Sequence, residues 1–359
     1  MSTPRANLQD SAHDRGSLEV CPHGVSRSDV CRACLDDSIP QQPVWGVVAK
    51  LMAGSKYRRS PQGPECTIEA AGTKYKLSLV RANDENAIQE IQRFMEETFG
   101  QKEVDPIDVF KAGIEGKLLD GSKDIARYRV FTASDGMGNI QSVYAGGLIE
   151  MMNGQGNPSG KAMFMGAYAM THPENRRRGI IRELYISSMM EAASDAFAAD
   201  KKLSLVAAET SSSSERVWNT IGRRRAYIET GLNEYTELPY VQPALEFEPQ
   251  TGLPAEGAGA LPEHLMLHFL EGDADKIRLT AAVDSMYRWC NAYPESFFAS
   301  ARAYERHKAY IADIQNKLND FIFSNGRLRL LSVGERAGLR QQGVTILEYT
   351  AADHETESL

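Results

Sequence analysis

One stretch of the sequence, residues 164–184, constrains the fold more than any other. It reads FMGAYAMTHPENRRRGIIREL and passes from an apolar run through a proline, three arginines and a glycine to an apolar-periodic segment that starts at Ile180. This order predicts a strand, a turn and a helix. The first N–H groups of a helix have no intrahelical partner, and the helix dipole adds positive charge there. The stretch therefore predicts an anion site at a helix N-terminus.

The predicted turn carries enough positive charge for a multiply charged ligand. Four arginines lie on either side of Gly179, namely Arg176, Arg177, Arg178 and Arg182. Guanidinium groups form paired, charge-assisted hydrogen bonds with phosphate oxygens. We therefore expect a pyrophosphate at this turn, with an arginine-rich, solvated helix start as the alternative.

The same residues follow the pattern of a known superfamily. Its members carry V-x-P-x-x-R-x-x-G-x-G/A at a strand end, then a basic or small residue and, two residues later, a leucine. The matching positions here are Thr171, Pro173, Arg176, Gly179, Arg182 and Leu184. In this motif the sequence resembles the GNAT acyltransferases. Ile181 departs from it, because the family has a glycine or alanine there, and the branched side chain narrows the approach to the phosphates.

The order of predicted elements agrees with this resemblance. Alternation and helical periodicity predict strands at 75–81, 128–132, 142–151 and 203–209, and helices at 83–99, after Pro106 and at 180–199. The resemblance implies a GNAT-like mixed α/β fold, in which helices flank a central sheet, over residues 72–247.

Composition and pattern assign the rest of the chain. The predicted parts are a disordered tail (1–20), a metal-binding segment with a connector (21–71), a Pro- and Gly-rich linker (248–262), a mainly helical module (263–349) and a loose tail (350–359). The module is expected to begin with a helix at Glu263 and to end in a hairpin. His264 and His268 fall one turn apart on that helix, and a surface or packing role is favoured over metal binding.

Four potential metal ligands cluster near the N-terminus. Cys21 and His23 form a C-x-H pair, and Cys31 and Cys34 form a C-x-x-C pair. Four such side chains are the ligand set of a closed, tetrahedral Zn²⁺ site, which would be structural or would hold a partner. Free cysteines in a floppy tail, or an iron–sulfur cluster, are the alternatives.

Composition argues against several partners. The 359-residue chain has a formal net charge of −8, so most of its surface would repel a nucleic-acid backbone. No run approaches the roughly 20 apolar residues that cross a bilayer, so no membrane partner is expected. The polar N-terminus lacks the apolar core of a secretory signal, which predicts a cytoplasmic protein.

The resemblance implies acyl transfer from acetyl-CoA, or another acyl-CoA, to an amine. The Met170 N–H would polarise the thioester carbonyl, and Thr171 backbone groups would pair with the pantetheine arm. The acceptor would be a small-molecule amine or a protein lysine. The cofactor would contact the motif residues Arg176, Arg177, Arg178, Gly179, Ile180, Ile181 and Arg182.

Two carboxylates are candidates for the base that deprotonates the amine. Glu150 and Glu209 end strands on the side where the acceptor should enter, and either acts directly or through water. Glu150 is narrowly preferred, because the small Gly146 and Gly147 leave room for a ligand. A solvated carboxylate at a strand end is the alternative for each.

A second family motif is degraded in this sequence. The pattern N-x-x-A-x-x-x-Y-x-x-x-G-F includes a tyrosine that often protonates the departing thiolate. The corresponding residues are Ser211, Ser214, Trp218, Gly222 and Arg223. An indole cannot donate this proton, so Tyr227, Tyr235 or water is expected to do so.

Two other functions remain open on the sequence. The degraded second motif also suits a domain that binds acyl-CoA as a sensor or scaffold without turnover. The three consecutive arginines also suit an enzyme whose acyl donor sits on an acidic carrier protein.

Overall fold

The described residues form one mixed sheet with helices on both faces, which confirms the expected mixed α/β fold. No helix among them is long and apolar enough to cross a membrane. The predictions for both tails and for the four metal ligands, Cys21, His23, Cys31 and Cys34, lie outside these residues. The computed structural model describes residues 55–57, 64–118, 126–153, 157–211, 215–220, 222–270, 272–289 and 293–349.

The first half of the sheet is a series of antiparallel neighbours. Each strand pairs with the next one in the chain. The first strand falls inside the predicted connector 21–71, so the sheet begins earlier than expected. The strands are β1 (Cys66–Ala70), β2 (Thr73–Leu79), β3 (Ala126–Ser134), β4 (Ile140–Met152) and β5 (Pro158–Thr171).

Two helices between β2 and β3 cover one face of these strands. They are α1 (Glu85–Phe99) and α2 (Ile107–Glu115), as predicted. Apolar residues recur in α1 at helical spacing, and Ile88, Ile91 and Met95 are fully buried against the sheet. Each such side chain contributes about 1.5–3 kcal/mol of hydrophobic stabilisation.

The chain crosses to the other face after β5. Strand β6 (Lys202–Thr210) runs parallel to β5, and helix α3 (Ile180–Ala198) connects the two. A parallel neighbour requires such a crossover. Helix α3 packs through Leu184 and Met189 on the face opposite to α1 and α2.

The last part of the chain contributes a central strand to the same sheet. Strand β11 (His264–Phe269) lies between β6 and β7 (Arg224–Gly231) and is antiparallel to both. The helix expected from residue 263 is therefore wrong, and His264 and His268 lie on a strand. The domain limits 248–262 and 263–349 stay a prediction, but the sheet crosses them.

The expected closing hairpin is also wrong. Strand β12 (Leu328–Leu331) pairs with β7, whereas β13 (Thr345–Leu347) pairs in parallel with β8 (Glu234–Glu237). Helix α7 (Val333–Gln341) separates β12 from β13 and begins with a capping box between Ser332 and Glu335. The cap satisfies N–H groups at the helix start, which favours a helix over a turn.

The remaining elements complete the layers around the second half of the sheet. Two further helices lie within the part of the chain expected to be mainly helical. Their apolar side chains extend the core on the face that also carries α1 and α2. These elements are α4 (Glu215–Thr220), the short pair β9 (Val241–Gln242) and β10 (Leu261–Pro262), α5 (Lys276–Trp289) and α6 (Ala301–Ser324).

Candidate functional site

Strands β5 and β6 are paired along only part of their length. Their register ends where Gly166 lies opposite Ala208. At the same point the register between β5 and β4 shifts, which leaves Ala167 as a bulged residue. A bulge bends its strand and ends regular pairing. The last residues of β5 and β6 therefore border a gap, into which their unpaired backbone groups point.

The Met170 N–H does not point into this gap. Met170 lies opposite Val143 in β4, and two residues later the His172 N–H donates to the Gln141 carbonyl at 3.0 Å. Hydrogen-bonded pairs recur at every second residue of an antiparallel ladder, so the Met170 N–H is directed to β4. This direction argues against the role expected for Met170, which stays a prediction. The adjacent residue, Thr171, directs its backbone groups toward the gap.

The chain after β5 forms the expected turn and anion-binding helix start. Gly179 is the N-cap of α3, with a φ of 82°, and an added Cβ there would meet no atom within 4 Å. The first intrahelical hydrogen bond runs from the Glu183 N–H to the Gly179 carbonyl at 3.4 Å. The N–H groups of Ile180 and Ile181 thus have no acceptor within the helix. An anion at this helix start would also gain from the helix dipole.

The side chains of the turn have different roles. Arg178 is tied to the fold, because its Nη1 lies 3.3 Å from Thr73 Oγ1 and 3.2 Å from Tyr75 Oη, and its Nη2 donates to the Glu174 carbonyl at 3.0 Å. The two preceding arginines are exposed, although Arg176 Nε also donates to the Thr171 carbonyl at 3.2 Å. Arg178 thus holds the turn against β2, and Arg177 and the terminal nitrogens of Arg176 are available to a ligand.

The next motif residues line the start of α3. Ile180 is buried, and the Ile181 side chain is partly buried against the same core. Because this side chain packs toward the core, its branch is not directed at the helix start. Arg182 lies 3.9 Å from the Glu183 carboxylate.

Glu209 is the first residue of β6 beyond its last pair with β5. Its carboxylate accepts a hydrogen bond from the Tyr240 hydroxyl. Burial raises the pKa of Glu209 to about 7, the charge of Asp105 also raises it, and the Tyr240 hydrogen bond opposes the rise. A general base works best with a pKa near the working pH. Glu209 therefore has the position and the pKa of a base at the gap.

A second carboxylate shares this face of the sheet. Leu265 in β11 lies opposite Glu209, and Glu263 is two residues from Leu265, so both acids point to the same side. Burial raises the pKa of Glu263 to about 7, and the charge of Glu209 also raises it. The two carboxylates form one acidic surface beside the gap.

Asp105, in the loop between α1 and α2, adds a third carboxyl group to this surface. Its carboxylate accepts a hydrogen bond from the Tyr128 hydroxyl at 3.1 Å. Its N–H donates at 3.1 Å to the hydroxyl of Tyr168, which follows the bulge in β5. Burial raises the pKa of Asp105 to about 6, against the effect of these tyrosines. A surface with several carboxylates is suited to a cationic amine.

Glu150 does not reach the gap. It lies opposite Ala162, four residues before Gly166, which is about 13 Å along the strand. Glu150 is only 3% exposed, and its carboxylate forms an ion pair with Lys201. This position argues against Glu150 as the base, which stays a prediction, because its carboxylate already pairs with the partly buried Lys201 ammonium group.

Tyr227 is also remote from the gap. It lies on β7, which β11 separates from β6, and its hydroxyl donates to Glu348 Oε1 at 3.1 Å. Burial raises its pKa, so the phenol is a weak acid. These observations argue against Tyr227 as the proton donor, a role that stays a prediction. Trp218 does border the gap, since its Nε1 donates to Thr210 Oγ1 at the end of β6 at 3.0 Å.

Sequence reasoning missed part of this site. Asp105 directly precedes Pro106 and a predicted helix, a position where a carboxylate usually acts as a cap. Glu263 lies where the sequence predicts a helix to begin. The sequence around Tyr240 contains no motif that indicates a functional role. The described ranges contain no group of three or more His, Cys, Asp or Glu side chains that could hold a metal ion.

The bulge, the gap and the anion-binding helix start follow the order of elements that the resemblance implies. This order of strands and helices agrees with the resemblance to the GNAT acyltransferases. No protein-family model and no curated protein matches the chain.

Several solved structures are similar to the chain. A GNAT-family acetyltransferase from Staphylococcus aureus is 12% identical, with a TM-score of 0.32, and the match covers 54% of this chain and 99% of that one. A GNAT-family N-acetyltransferase from Escherichia coli, in complex with CoA, is 11% identical, with a TM-score of 0.33 and coverages of 57% and 86%.

A third match is the glucosamine N-acetyltransferase region of a fungal multi-domain β-N-acetylglucosaminidase. It is 12% identical, with a TM-score of 0.31, and it covers 44% of this chain and 18% of that chain.

Proposed function

We propose that this protein is an N-acyltransferase that uses acetyl-CoA or another acyl-CoA as its donor. The observation that carries the proposal is the position of Glu209 at the gap between β5 and β6, beside the anion-binding start of α3. Acyl transfer to an amine requires little covalent help from a protein, because holding thioester and amine together lowers the barrier by several kcal/mol. The remaining requirement is a base that accepts the ammonium proton near neutral pH.

The donor would bind on the face of the sheet that carries α3. Its pyrophosphate would accept hydrogen bonds from the N–H groups of Ile180 and Ile181 and pair with the exposed Arg176 and Arg177. Its pantetheine arm would follow the gap and pair with the backbone of Thr171. The thioester would then lie where β5 and β6 separate.

The amine would approach from the opposite face, which carries the acidic surface. Glu209 would remove its proton directly or through one water molecule, and the nitrogen would then attack the thioester carbonyl carbon. The C–N bond forms, the C–S bond breaks, and the sulfur leaves as a thiolate that is protonated by solvent or a nearby donor. Asp105 and Glu263 would hold the ammonium group before it loses its proton.

The test is the affinity of free CoA for two glycine variants. Gly179→Glu places a carboxylate at the helix start, so the calorimetric affinity for CoA should fall by at least about 10-fold. Gly138→Glu is a matched control, because Gly138 also has a positive φ and open space around it. Equal CoA affinity in both folded variants would reject the proposal.

The two alternatives predict different results with the same protein. A sensor or scaffold would bind CoA but release no thiol from acetyl-CoA in the presence of amines. An enzyme with a carrier-bound donor would turn over without inhibition by free CoA. The exposed Arg176 and Arg177 suit an acidic carrier surface, which is the reason to include that competition experiment.

A structural Zn²⁺ ion at the N-terminus is a separate proposal. Cys21, His23, Cys31 and Cys34 would supply the three thiolates and one imidazole of a closed tetrahedral site. Elemental analysis of protein purified without chelator should find about one zinc per chain. Equal metal content after Cys31→Ser and Cys34→Ser would show that these side chains are not the ligands.

A further inference from the structure

Arg223 is a buried cation without a counter-ion. It is 1% exposed and lies just before β7, at the end of the connection from α4. None of its three guanidinium nitrogens has a hydrogen-bond partner in the described part of the chain. A buried charge loses its favourable hydration, and without a partner no other interaction replaces the lost free energy. Such a group indicates that an anion binds beside it.

Aromatic rings surround this guanidinium. Its Cζ lies 4.5 Å from the centre of the Trp218 ring and 4.9 Å from that of Tyr185. These cation–π contacts offset only part of the cost of burial. We call the group formed by Arg223, Trp218, Tyr185 and Tyr144 the arginine box.

The other polar groups at the arginine box supply no negative charge. The Tyr144 hydroxyl is buried and has no hydrogen bond within 3.5 Å in the part of the chain that the structure describes. Burial raises its pKa, and the charge of Arg223 opposes that rise. Burial lowers the pKa of the adjacent His268, and the charges of Arg223 and Arg224 lower it further. The box therefore has a net positive charge and a hydroxyl donor ready for an anion.

The arginine box lies at the edge of the gap. A Cβ added to Gly166, the last residue of β5 that pairs with β6, would lie 2.6 Å from the Tyr144 hydroxyl and 3.4 Å from the Trp218 ring. The absence of a side chain at Gly166 lets Tyr144 reach the backbone where the two strands separate. An anion in the box would thus be close to a thioester held in the gap.

The faces of the sheet indicate which substrate carries this anion. The arginine box and the start of α3 lie on one face, where Ile180, Tyr185 and Trp218 belong to the same core. Glu209 points to the other face with its ladder partner Leu265. The donor and the arginine box are therefore on one side, and the acidic surface for the amine is on the other.

We propose that the arginine box binds a carboxylate at the far end of the donor's acyl group. This inference rests on the proposed function and names its donor class, the CoA thioesters of dicarboxylic acids. Arg223 would bind both carboxylate oxygens, and the Tyr144 hydroxyl would donate to one of them. The leaving thiolate is not a sufficient counter-ion for Arg223, because it exists only after the C–S bond has broken. Before that step, the charge of Arg223 would still have no counter-ion in the complex with the bound donor.

The experiment compares malonyl-CoA with butyryl-CoA, whose acyl groups are similar in size but differ in charge. The native protein should bind malonyl-CoA at least about 10-fold more tightly in calorimetry, which is the effect of one charged hydrogen-bonded contact. Arg223→Met should abolish this difference and leave the affinity for free CoA unchanged. Tyr144→Phe should reduce the difference a few-fold.

The outcomes separate this inference from the proposed function. Equal affinities of the native protein for the two thioesters would overturn the inference, and this measurement needs no variant. No binding of free CoA would instead reject the proposed function. If Arg223→Met lowers turnover equally with every donor while all affinities stay unchanged, Arg223 acts on the thiolate and the carboxylate site is wrong.

Discussion

Arg336 in α7 donates from its two terminal nitrogens to the two carboxylate oxygens of Glu215 in α4, at 2.6 and 2.8 Å. Both side chains are buried. Glu215 also accepts from Arg225 Nη2 at 2.7 Å, so one carboxylate is shared by two guanidinium groups. Glu237 also pairs with Arg225, and Glu348 with Arg336. These contacts connect the short helix that carries Trp218 to a helix near the end of the chain.

We expect Glu215→Gln to destabilise the protein by about 1–3 kcal/mol, because two buried guanidinium groups lose their shared counter-ion and keep Glu237 and Glu348 as their remaining carboxylate partners. Urea denaturation followed by circular dichroism measures the change. Glu305→Gln removes an exposed pair with Lys308 and should leave the stability almost unchanged. A similar small effect in both variants would show that the buried ion pairs do not determine stability here.

Glu209→Gln should lower turnover by roughly 100-fold and leave the affinity for CoA unchanged, because it removes a base but no cofactor contact. The native pH profile should rise through the Glu209 pKa of about 7, where the carboxylate loses its proton. This acid limb should be absent from the variant. Thiol release from acetyl-CoA, measured with a panel of amines between pH 5.5 and about 8.5, tests both points.

Glu150→Gln is the control for that experiment. It removes the partner of Lys201 on a strand remote from the gap, so stability should fall while turnover per folded molecule remains. Loss of turnover in the Glu150 variant, together with normal turnover in the Glu209 variant, would reverse the assignment of the base.

Asp105→Asn should move the acid limb of activity to lower pH. The charge of Asp105 raises the pKa of Glu209, so its removal lets Glu209 lose its proton more readily. The asparagine oxygen can still accept the hydrogen bond from Tyr128. An unchanged limb would show that Asp105 does not act on the base.

The same variant tests the linkage between Asp105 and stability. The folded-state pKa of about 6 lies above the ordinary aspartate pKa of 3.8, so protonated Asp105 favours the folded state. This contribution is complete below pH 3.8 and is lost as the pH rises through about 6. Relative to Asp105→Asn, the native protein should lose up to about 3 kcal/mol across that window in urea denaturation. A pH-independent difference would contradict the assignment.

Arg177→Ala and Arg178→Ala should differ, although both remove one charge from the turn. Arg178 binds Thr73, Tyr75 and a carbonyl of its own turn, so its removal should lower both the melting temperature and the affinity for CoA. Arg177 is exposed, so its removal should weaken CoA binding alone. Differential scanning calorimetry measures the melting temperatures of the two variants, and titration with CoA measures their affinities. Identical melting temperatures would contradict the conclusion that Arg178 holds the turn against β2.

The first half of the fold could be predicted because its signals are local. Helix α1 shows a clear apolar stripe, and the turn before α3 concentrates glycine, proline and arginine. Strand β11 could not be predicted, because Leu265 and Met266 face the cores on opposite sides of the sheet. The run HLMLHF therefore lacks the alternation of apolar and polar residues that indicates a strand. An apolar run buried on both sides does not distinguish a strand from a helix.

The candidate site was predictable on the donor side and not on the acceptor side. The turn from Arg176 to Arg182 carries its signal within a few residues. The acidic surface joins Asp105, Glu209 and Glu263 from distant parts of the chain, and only strand register places them on one face. The strand register also argues against Glu150 as the base, because the distance of Glu150 from the gap depends on which residue of β5 it pairs with.

The insertion of β11 between β6 and β7 sets an order in which the protein can be completed during synthesis. The turn before α3 is made about 80 residues earlier than β11, so a growing chain acquires its anion-binding helix start before the strand that brings Glu263 beside Glu209. A chain that stops before His264 leaves facing edges of β6 and β7 without their neighbour. Such edges pair readily with other chains, so shortened products of this protein should aggregate rather than persist as half-active domains.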